Sequence, residues 1–177
     1  TWTQSNSSST VGQQDLSYSG GILYMAGDYQ YIYKSSNNGV NWTPVYFRDN
    51  SNPNQPPYSI VYSISVNGSD IAVVGINGSV TISNDGGSSW RNKNYSVTND
   101  YSELYSSIFV QPSGSIYIGP NGGGKILYSS NGGSNWTTLN SVNTGAVYGI
   151  QFLNANTGFV CGSLGHMSKT INGGNTW

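Results

Sequence analysis

Acidic side chains are the residues of this 177-residue chain that could support acid–base chemistry, and there are only seven of them. Asp49, Asp100 and Glu103 lie in polar segments between apolar runs, where their carboxyls could converge. A glycoside hydrolase needs such a pair, one carboxyl as the acid and one as the base or nucleophile, about 5 to 9.5 Å apart. Acidic residues in turn-rich segments more often cap the backbone and remain solvated. We therefore expect no catalytic residue and keep a glycoside hydrolase as the alternative.

The other reactive residue types argue against further kinds of active site. His166 is the only histidine, and no nucleophile-elbow sequence surrounds a serine, so a serine nucleophile with a histidine base is disfavoured. We expect His166 to be a surface residue at the start of a strand. Cys161 is the only cysteine, and it lies in an apolar run typical of a buried strand. With one histidine, one cysteine and scattered aspartates, we expect no metal site and no cofactor.

Composition and charge narrow the class of partner. The net charge is −1 and 7% of residues are charged, which leaves no basic surface for nucleic acid. No segment contains the roughly 18–20 apolar residues that a transmembrane helix needs. The polar residues are mostly Ser, Asn, Gly and Tyr, a composition typical of extracellular, cell-surface or periplasmic proteins. We expect that localisation for this chain.

A motif of eight residues occurs four times and organises the whole chain. It consists of a hydroxyl residue, Asp or Asn two residues later, Gly four residues later and Trp seven residues later. The Asp or Asn side chain can accept hydrogen bonds from backbone N–H groups ahead of it, and the glycine can adopt the positive φ of a tight turn. The Trp ring can wedge one repeat against the next while its N–H finds an acceptor. The four copies are Ser35, Asn37, Gly39 and Trp42; Ser83, Asp85, Gly87 and Trp90; Ser129, Asn131, Gly133 and Trp136; and Thr170, Asn172, Gly174 and Trp177.

The spacing of the tryptophans predicts a β-propeller. Tryptophans 2, 42, 90, 136 and 177 recur every 40 to 48 residues, a period typical of a propeller blade. Each interval divides into one strand after the Trp, a polar loop and three short strands that lead to the next motif. Strands such as 71–75 are apolar on both faces, as expected for a sheet packed between two others. We therefore predict an all-β protein, a single domain 1–177 of about four four-stranded antiparallel blades, with repeats at about 2–42, 42–90, 90–136 and 136–177.

The eight-residue motif resembles the Asp-box, or BNR repeat, of sialidase-like β-propellers. In that family the box lies between the third and fourth strands of a blade, away from the active face, so the resemblance implies a fold rather than an activity. Residues 149–170 of the last repeat look like a blade of the secreted proteins related to photosystem II stability factors, which are non-enzymatic assembly or scaffold proteins. Sialidases hold the substrate carboxylate with three arginines, whereas this chain has only Arg48 and Arg91. A sialidase is therefore excluded for this chain alone.

The resemblance also implies which face of the protein carries a ligand site. In such propellers that face is formed by the loops that lead into each blade and by the turns between the second and third strands. The loop tyrosines suit a protein or glycan contact, because Tyr gives amphipathic contact area at low entropic cost. We predict five binding residues there: Tyr29, Arg48, Tyr58, Tyr101 and Glu103. Tyrosines on predicted strands are expected instead to fill the space between blades: Tyr24, Tyr62, Tyr117 and Tyr148.

These observations favour a non-enzymatic binding or scaffold propeller in an extracellular or periplasmic assembly, with a protein partner or a glycan as its ligand. The alternative is a carbohydrate-active propeller, either a glycoside hydrolase or a glycan-binding domain, with part of its site outside this chain. Propellers with this motif commonly close with six or more blades, and residues 2–4 form the only predicted strand that could latch a ring of four. We expect these residues to be a window from a longer chain, or further blades to come from a partner copy.

Overall fold

The protein forms four small antiparallel β-sheets in a computed structural model, which describes residues 12–28, 31–46, 60–93, 104–140 and 145–177. Within these ranges the regular elements are strands, apart from short 3-10 turns such as Ser163–Gly165. None of the described elements is a helix that could cross a membrane. The strands are β1 (Gln13–Ser19), β2 (Ile22–Gly27), β3 (Tyr31–Ser35), β4 (Thr43–Tyr46), β5 (Val61–Asn67), β6 (Asp70–Gly75), β7 (Val80–Ser83), β8 (Arg91–Lys93), β9 (Tyr105–Val110), β10 (Ile116–Pro120), β11 (Lys125–Ser129), β12 (Thr137–Asn140), β13 (Val147–Phe152), β14 (Gly158–Gly162) and β15 (Met167–Thr170).

Each sheet is a simple meander of strands that are consecutive in the chain. The strand orders are β1-β2-β3-β4, β5-β6-β7-β8, β9-β10-β11-β12 and β13-β14-β15, and we call these sheets blades 1 to 4. The predicted all-β propeller of about four blades is therefore confirmed, with three strands described in the last blade. Strand β1 starts at Gln13, and it includes Asp15, whose side chain bonds to blade 2.

The hydrophobic core is divided into three clusters, one at each junction between successive blades. Blade 2 shows how one strand serves two clusters. Ile71 and Val73 of β6 pack toward blade 1, whereas Ala72 and Val74 pack toward blade 3, and all four are at most 2% exposed. Successive side chains of a strand point to opposite faces, so a strand whose two faces both pack on neighbouring blades can be apolar at successive positions. This explains the continuous apolar run that the sequence shows at residues 71–74.

Each eight-residue motif forms a hydrogen-bonded turn directly after the third strand of its blade. In blade 2, Ser83 Oγ accepts the N–H of Gly87 at 2.9 Å, and Asp85 Oδ1 accepts the N–H of Ser89 at 2.8 Å. The glycine has a φ of +89°, which a β-carbon would resist. The other three turns repeat both bonds at 2.8 to 2.9 Å with Asn in place of Asp.

The tryptophans of the last three turns pack against the core of the preceding junction. Trp90 contacts the cluster between blades 1 and 2, Trp136 that between blades 2 and 3, and Trp177 that between blades 3 and 4. Trp90 Nε1 donates to the carbonyl of Gly87 at 3.1 Å, as the sequence predicted. The Nε1 atoms of Trp136 and Trp177 are buried without a hydrogen-bond partner, contrary to that prediction. Apolar packing, rather than the indole N–H, therefore fixes the position of these two rings.

Candidate functional site

The first strands of the four blades, β1, β5, β9 and β13, lie side by side and line a groove of about 430 Å³. We call it the central groove. Its lining is mostly polar, because serines alternate with apolar residues along β1 and β5, and Ser107 lies near the start of β9. The lining residues are 15–18, 63–67, 107–110 and 148–151.

A ladder of side chains joins the first strands of blades 1 and 2 along this groove. Asp15, Ser17 and Ser19 are alternate residues of β1, so their side chains leave the strand on the same side. Each accepts a backbone N–H from β5 or from its turn, at 2.9, 3.1 and 2.8 Å respectively. The donors are again alternate residues: Ile64, Val66 and Gly68. The ladder thus satisfies backbone donors at the edge of β5 that no neighbouring strand pairs.

The carboxyl group of Asp15 is fully engaged in this ladder. Its Oδ2 atom accepts the hydroxyl of Ser63 at 2.8 Å and the N–H of Ile64 at 2.9 Å. Its Oδ1 atom accepts the N–H of Leu16 at 2.8 Å. A carboxylate that already accepts three hydrogen bonds is suited to bracing two strands rather than to transferring a proton.

The contact between the first strands of neighbouring blades differs in its chemistry from one pair of blades to the next. Between blades 2 and 3 the described residues form one such rung, in which Ser65 Oγ accepts the N–H of Val110 at 3.0 Å. Between blades 3 and 4 the hydroxyl of Ser107 donates instead to the carbonyl of Val147 at 3.0 Å. Phe109 stands where the ladder would place a serine, and its ring stacks on Phe152 with centroids 5.7 Å apart.

Each first strand carries a β-bulge at the end where the chain enters its blade. The pairing of β1 skips Gln14, that of β5 skips Tyr62 and that of β13 skips Tyr148. In β9 the extra residue is Ser106. Bulges re-aim side chains and are frequent beside functional sites. The four bulges lie at the end of the blades for which the sequence analysis predicts a ligand face.

The bulges correct the prediction made for the strand tyrosines. Tyr24 and Tyr117 are 2% exposed and fill the space between blades, as predicted. Tyr62 and Tyr148 do not, because they are 36% and 57% exposed. Both are the extra residues of bulges, so their side chains leave the alternation that would have buried them. An alternating pattern cannot reveal a bulge, so the residues around Tyr62 and Tyr148 do not predict that these two side chains are exposed.

The five predicted binding residues lie outside the described residues: Tyr29, Arg48, Tyr58, Tyr101 and Glu103. Their place at the ligand face stays a prediction. The chain segments that contain the last four lead into β5 and β9, and so toward the bulges at Tyr62 and Ser106.

Three charged side chains of the described residues make hydrogen bonds to other residues of the fold. Asp28 accepts a bond from Gln14 Nε2 at 3.2 Å, and Asp70 accepts one from Asn84 Nδ2 at 2.7 Å. Arg91 donates to the side chain of Asn84 and, at 3.0 Å, to the carbonyl of Gly132 in the turn of blade 3. The described ranges contain no cluster of three His, Cys, Asp or Glu that could hold a metal ion.

The single histidine and the single cysteine are both on the surface. His166 is exposed directly before β15, as the sequence predicted. Cys161 is also exposed, so the prediction of a buried thiol was wrong. Its strand is β14, but its side chain points to the face of blade 4 that no other described blade covers.

Comparison with known proteins agrees with this architecture. Across 95% of its length, the chain resembles the structure of YCF48 bound to D1 peptide, with a TM-score of 0.71 at 20% identity. An ancestral GH74 enzyme matches 93% of the chain with a TM-score of 0.67 at 27% identity. The computationally designed Ika4 protein matches 93% of the chain with a TM-score of 0.62 at 14% identity.

The chain spans only part of the first two of these structures, namely 52% of the YCF48 chain and 23% of the GH74 enzyme, but 94% of the Ika4 protein. No protein-family model matches the sequence, and no curated protein sequence matches it either. The similarities therefore establish the propeller fold. They include both a peptide-bound propeller and a propeller enzyme, so they do not by themselves select a function.

Proposed function

We propose that this chain is a non-enzymatic binding or scaffold module, which holds an extended segment of a protein partner in the central groove as part of an extracellular or periplasmic assembly. The segment would be uncharged, because the only carboxyl group that lines the groove, that of Asp15, is engaged between strands. The peptide bound to the similar YCF48 structure supports a ligand of this class.

The observation that carries the proposal is the orientation of two groove hydroxyls. Ser17 Oγ and Ser65 Oγ each accept a backbone N–H from the neighbouring blade, at 3.1 and 3.0 Å. Neither has an acceptor for its own proton among the described residues. Both line the groove and keep this proton as a donor. The carbonyl oxygens of an extended polypeptide are the acceptors that such donors match.

Peptide binding at the groove can be measured directly. Peptides of about ten residues, selected on the immobilised chain by phage display, would be titrated by isothermal calorimetry. We expect Tyr148→Ala and Gln151→Ala, both exposed and both in the groove wall, to weaken binding by about tenfold or more. Leu153→Ala is the matched control, since Leu153 is 70% exposed beside the same strand but does not line the groove. Equal affinities for all three variants would contradict the groove as the site.

A carbohydrate-active propeller is the second candidate, and two observations favour it. The chain resembles a GH74 enzyme at 27% identity, and it exposes Tyr62 and Tyr148, whose rings could stack on sugars. Plant and bacterial glycans incubated with the chain would be assayed for new reducing ends. Turnover that is abolished by Asp100→Asn or Glu103→Gln would replace the scaffold proposal with a glycoside hydrolase.

A further inference from the structure

A second cavity lies at the end of the blades opposite the bulges, among the turns that join the first and second strands. It has a volume of about 270 Å³, and we call it the turn pocket. Blades 2, 3 and 4 all contribute to its wall, through Asn67, Phe109, Gln111, Phe152 and Asn154. Each of these residues lies near the end of a first strand or in the turn after it. The turn pocket is therefore built by three successive blades.

The turn pocket differs in chemistry from the central groove. Apolar side chains provide most of its surface, whereas the surface of the groove is mostly polar. Two of the apolar residues, Phe109 and Phe152, stack their rings with centroids 5.7 Å apart. Phe152 is buried, whereas Phe109 is half-buried and lines both cavities. The Phe109 ring thus offers a supported aromatic surface to a ligand, and aromatic rings pack favourably on such surfaces.

Phe109 also continues the row of hydroxyls on which the proposed function depends. Counted from the bulges, it occupies in blade 3 the position of Ser17 in blade 1 and of Ser65 in blade 2. The first strands of these three blades lie side by side. A segment that accepts hydrogen bonds from the two hydroxyls therefore continues directly onto the Phe109 ring and into the turn pocket.

The polar groups of the turn pocket are uncharged and hold its wall in place. Gln111 is 3% exposed, and its Nε2 atom donates to the carbonyl of Ala155 at 3.4 Å. This bond joins the turn of blade 3 to that of blade 4. Asn154 Oδ1 accepts the N–H groups of Asn156 and Thr157 at 2.9 and 2.8 Å. The pocket is therefore formed before a ligand arrives, as binding pockets usually are, and a lining without charged residues favours an uncharged group.

We infer that the turn pocket takes one aromatic side chain, that of phenylalanine or tyrosine, from the segment held in the central groove. The inference rests on the proposed function and adds the residue that gives the segment its specificity. An aromatic side chain matches the size of the cavity, its mostly apolar surface and the half-buried ring of Phe109. Aromatic residues that fill a pocket contribute a large part of the binding energy at protein interfaces.

A pair of neighbouring variants tests whether the pocket is occupied. Ala155→Trp places a large ring in the wall of the pocket, whereas Asn156→Trp places the same ring on an exposed residue that does not line it. Both positions are exposed in the turn after β13. The peptides selected for the groove would be titrated with both variants by isothermal calorimetry. We expect Ala155→Trp to weaken binding by about tenfold or more, and Asn156→Trp to change it by less than about twofold.

A second pocket-filling variant keeps the test independent of one substitution. Pro112 is exposed and lines the pocket from the turn of blade 3, so Pro112→Trp should weaken binding in the same way as Ala155→Trp. Circular dichroism would check that each variant is folded. Leu153 borders the pocket as well, but its side chain is 70% exposed and lies mainly in solvent at the mouth. Leu153→Ala removes no part of the aromatic surface and stays the control for the groove titration.

Substitutions in the peptide identify the side chain that enters the pocket. Each aromatic residue of a selected peptide would be replaced by alanine in turn, and one of these changes should weaken binding to the unaltered chain by about tenfold or more. The same change should alter binding to the Ala155→Trp chain by less than about twofold, because the pocket of that variant is already filled. The difference measures the coupling between the peptide side chain and the pocket.

The outcomes separate this inference from the proposed function. If Tyr148→Ala and Gln151→Ala weaken binding and Ala155→Trp does not, the groove stands and the inference is overturned. Selected peptides without an aromatic residue overturn it in the same way. If Ala155→Trp alone weakens binding, the groove is contradicted and the pocket remains the site of the aromatic side chain. If none of the three variants weakens binding, both proposals are overturned.

Discussion

The junction between blades 1 and 2 and the junction between blades 3 and 4 make the same topological contact with different chemistry. At the first, the three side chains of the ladder, Asp15, Ser17 and Ser19, bind the edge of β5 through hydrogen bonds. At the second, Phe152 contacts the rings of Phe109, Tyr117 and Trp177, with centroids 5.7, 4.3 and 6.1 Å apart.

The comparison shows what the fold requires at a blade junction and what it leaves free. Both junctions bury an aromatic residue on the second strand, Tyr24 in blade 1 and Tyr117 in blade 3. At both junctions the tryptophan of a turn packs against the hydrophobic cluster. The edge of the first strand can be satisfied by hydroxyl and carboxyl groups, or it can be shielded by aromatic rings. These two solutions respond differently to substitution and to pH.

The largest effect of a substitution is expected at the junction between blades 3 and 4, which we call the aromatic junction. Phe152→Ala removes the ring on which three other aromatic side chains pack, so it should lower the free energy of unfolding by about 3–5 kcal/mol. Urea denaturation followed by tryptophan fluorescence would measure this loss. The control is Leu153→Ala, because Leu153 is 70% exposed on the same strand end and should change stability little. Similar losses for both variants would show that Phe152 does not hold the junction.

At the junction between blades 1 and 2, which we call the polar junction, a side-chain truncation should lower the free energy of unfolding less. Asp15→Ala leaves the Ser63 hydroxyl and the Ile64 N–H without an acceptor, which should cost about 1–3 kcal/mol. Asp70→Ala removes a half-buried carboxyl whose hydrogen bond from Asn84 Nδ2 stays within its own blade, and it is the matched control. A loss for Asp15→Ala that exceeds the loss for Phe152→Ala would invert the comparison.

Alkaline pH should weaken the aromatic junction. Burial, with the neighbouring Tyr128 as a second cause, raises the pKa of Tyr117 to about 12. The unfolded chain loses this proton near pH 10, so stability is full below about pH 10 and falls as pH rises from about 10 to 12. Tyr117→Phe should remove this part of the alkaline sensitivity. It should also cost about 1 kcal/mol at neutral pH, since the hydroxyl donates to the Gly173 carbonyl at 3.1 Å.

Thermal melts of the two proteins between pH 8 and pH 12 would test this prediction. The curves of Tyr117→Phe and the unaltered chain should converge at high pH. Burial raises the pKa of Tyr24 as well, so Tyr24→Phe is the matched variant for the polar junction. Parallel curves for Tyr117→Phe and the unaltered chain would contradict the assignment to Tyr117.

The smallest effect is expected at the turn of blade 2, whose Trp90 packs against the hydrophobic cluster of the polar junction. Hydrogen bonds from Ser89 and Ser83 lower the pKa of Asp85 to about 2, whereas the other three turns carry Asn. Because the folded pKa is depressed, this contribution is present above the unfolded pKa near 4 and is lost as pH falls toward 2. Asp85→Asn should therefore flatten the acid dependence of the melting temperature between pH 4 and pH 2. An unchanged acid profile would contradict the role of Asp85.

The sequence predicted the four turns, their order and most strands, because the atoms that interact in a turn lie within seven residues of one another. In all four turns the hydroxyl oxygen accepts the N–H of the glycine, and the side-chain oxygen of Asp or Asn accepts a second backbone N–H. The burial of Tyr24 and Tyr117 was also predicted, since the direction of successive side chains alternates regularly along their strands up to these positions.

Only the tertiary structure decided which side chains reach solvent and which reach another blade. A bulge moves Tyr62 and Tyr148 out of the core, and it depends on pairing with the next strand, which the residue type does not encode. Cys161 and Met167 belong to residue types that are usually buried, but they lie on a face that no described blade covers. The ladder from Asp15 joins atoms 49 residues apart. Such contacts follow from the stacking of whole sheets, whereas the turns follow from local geometry.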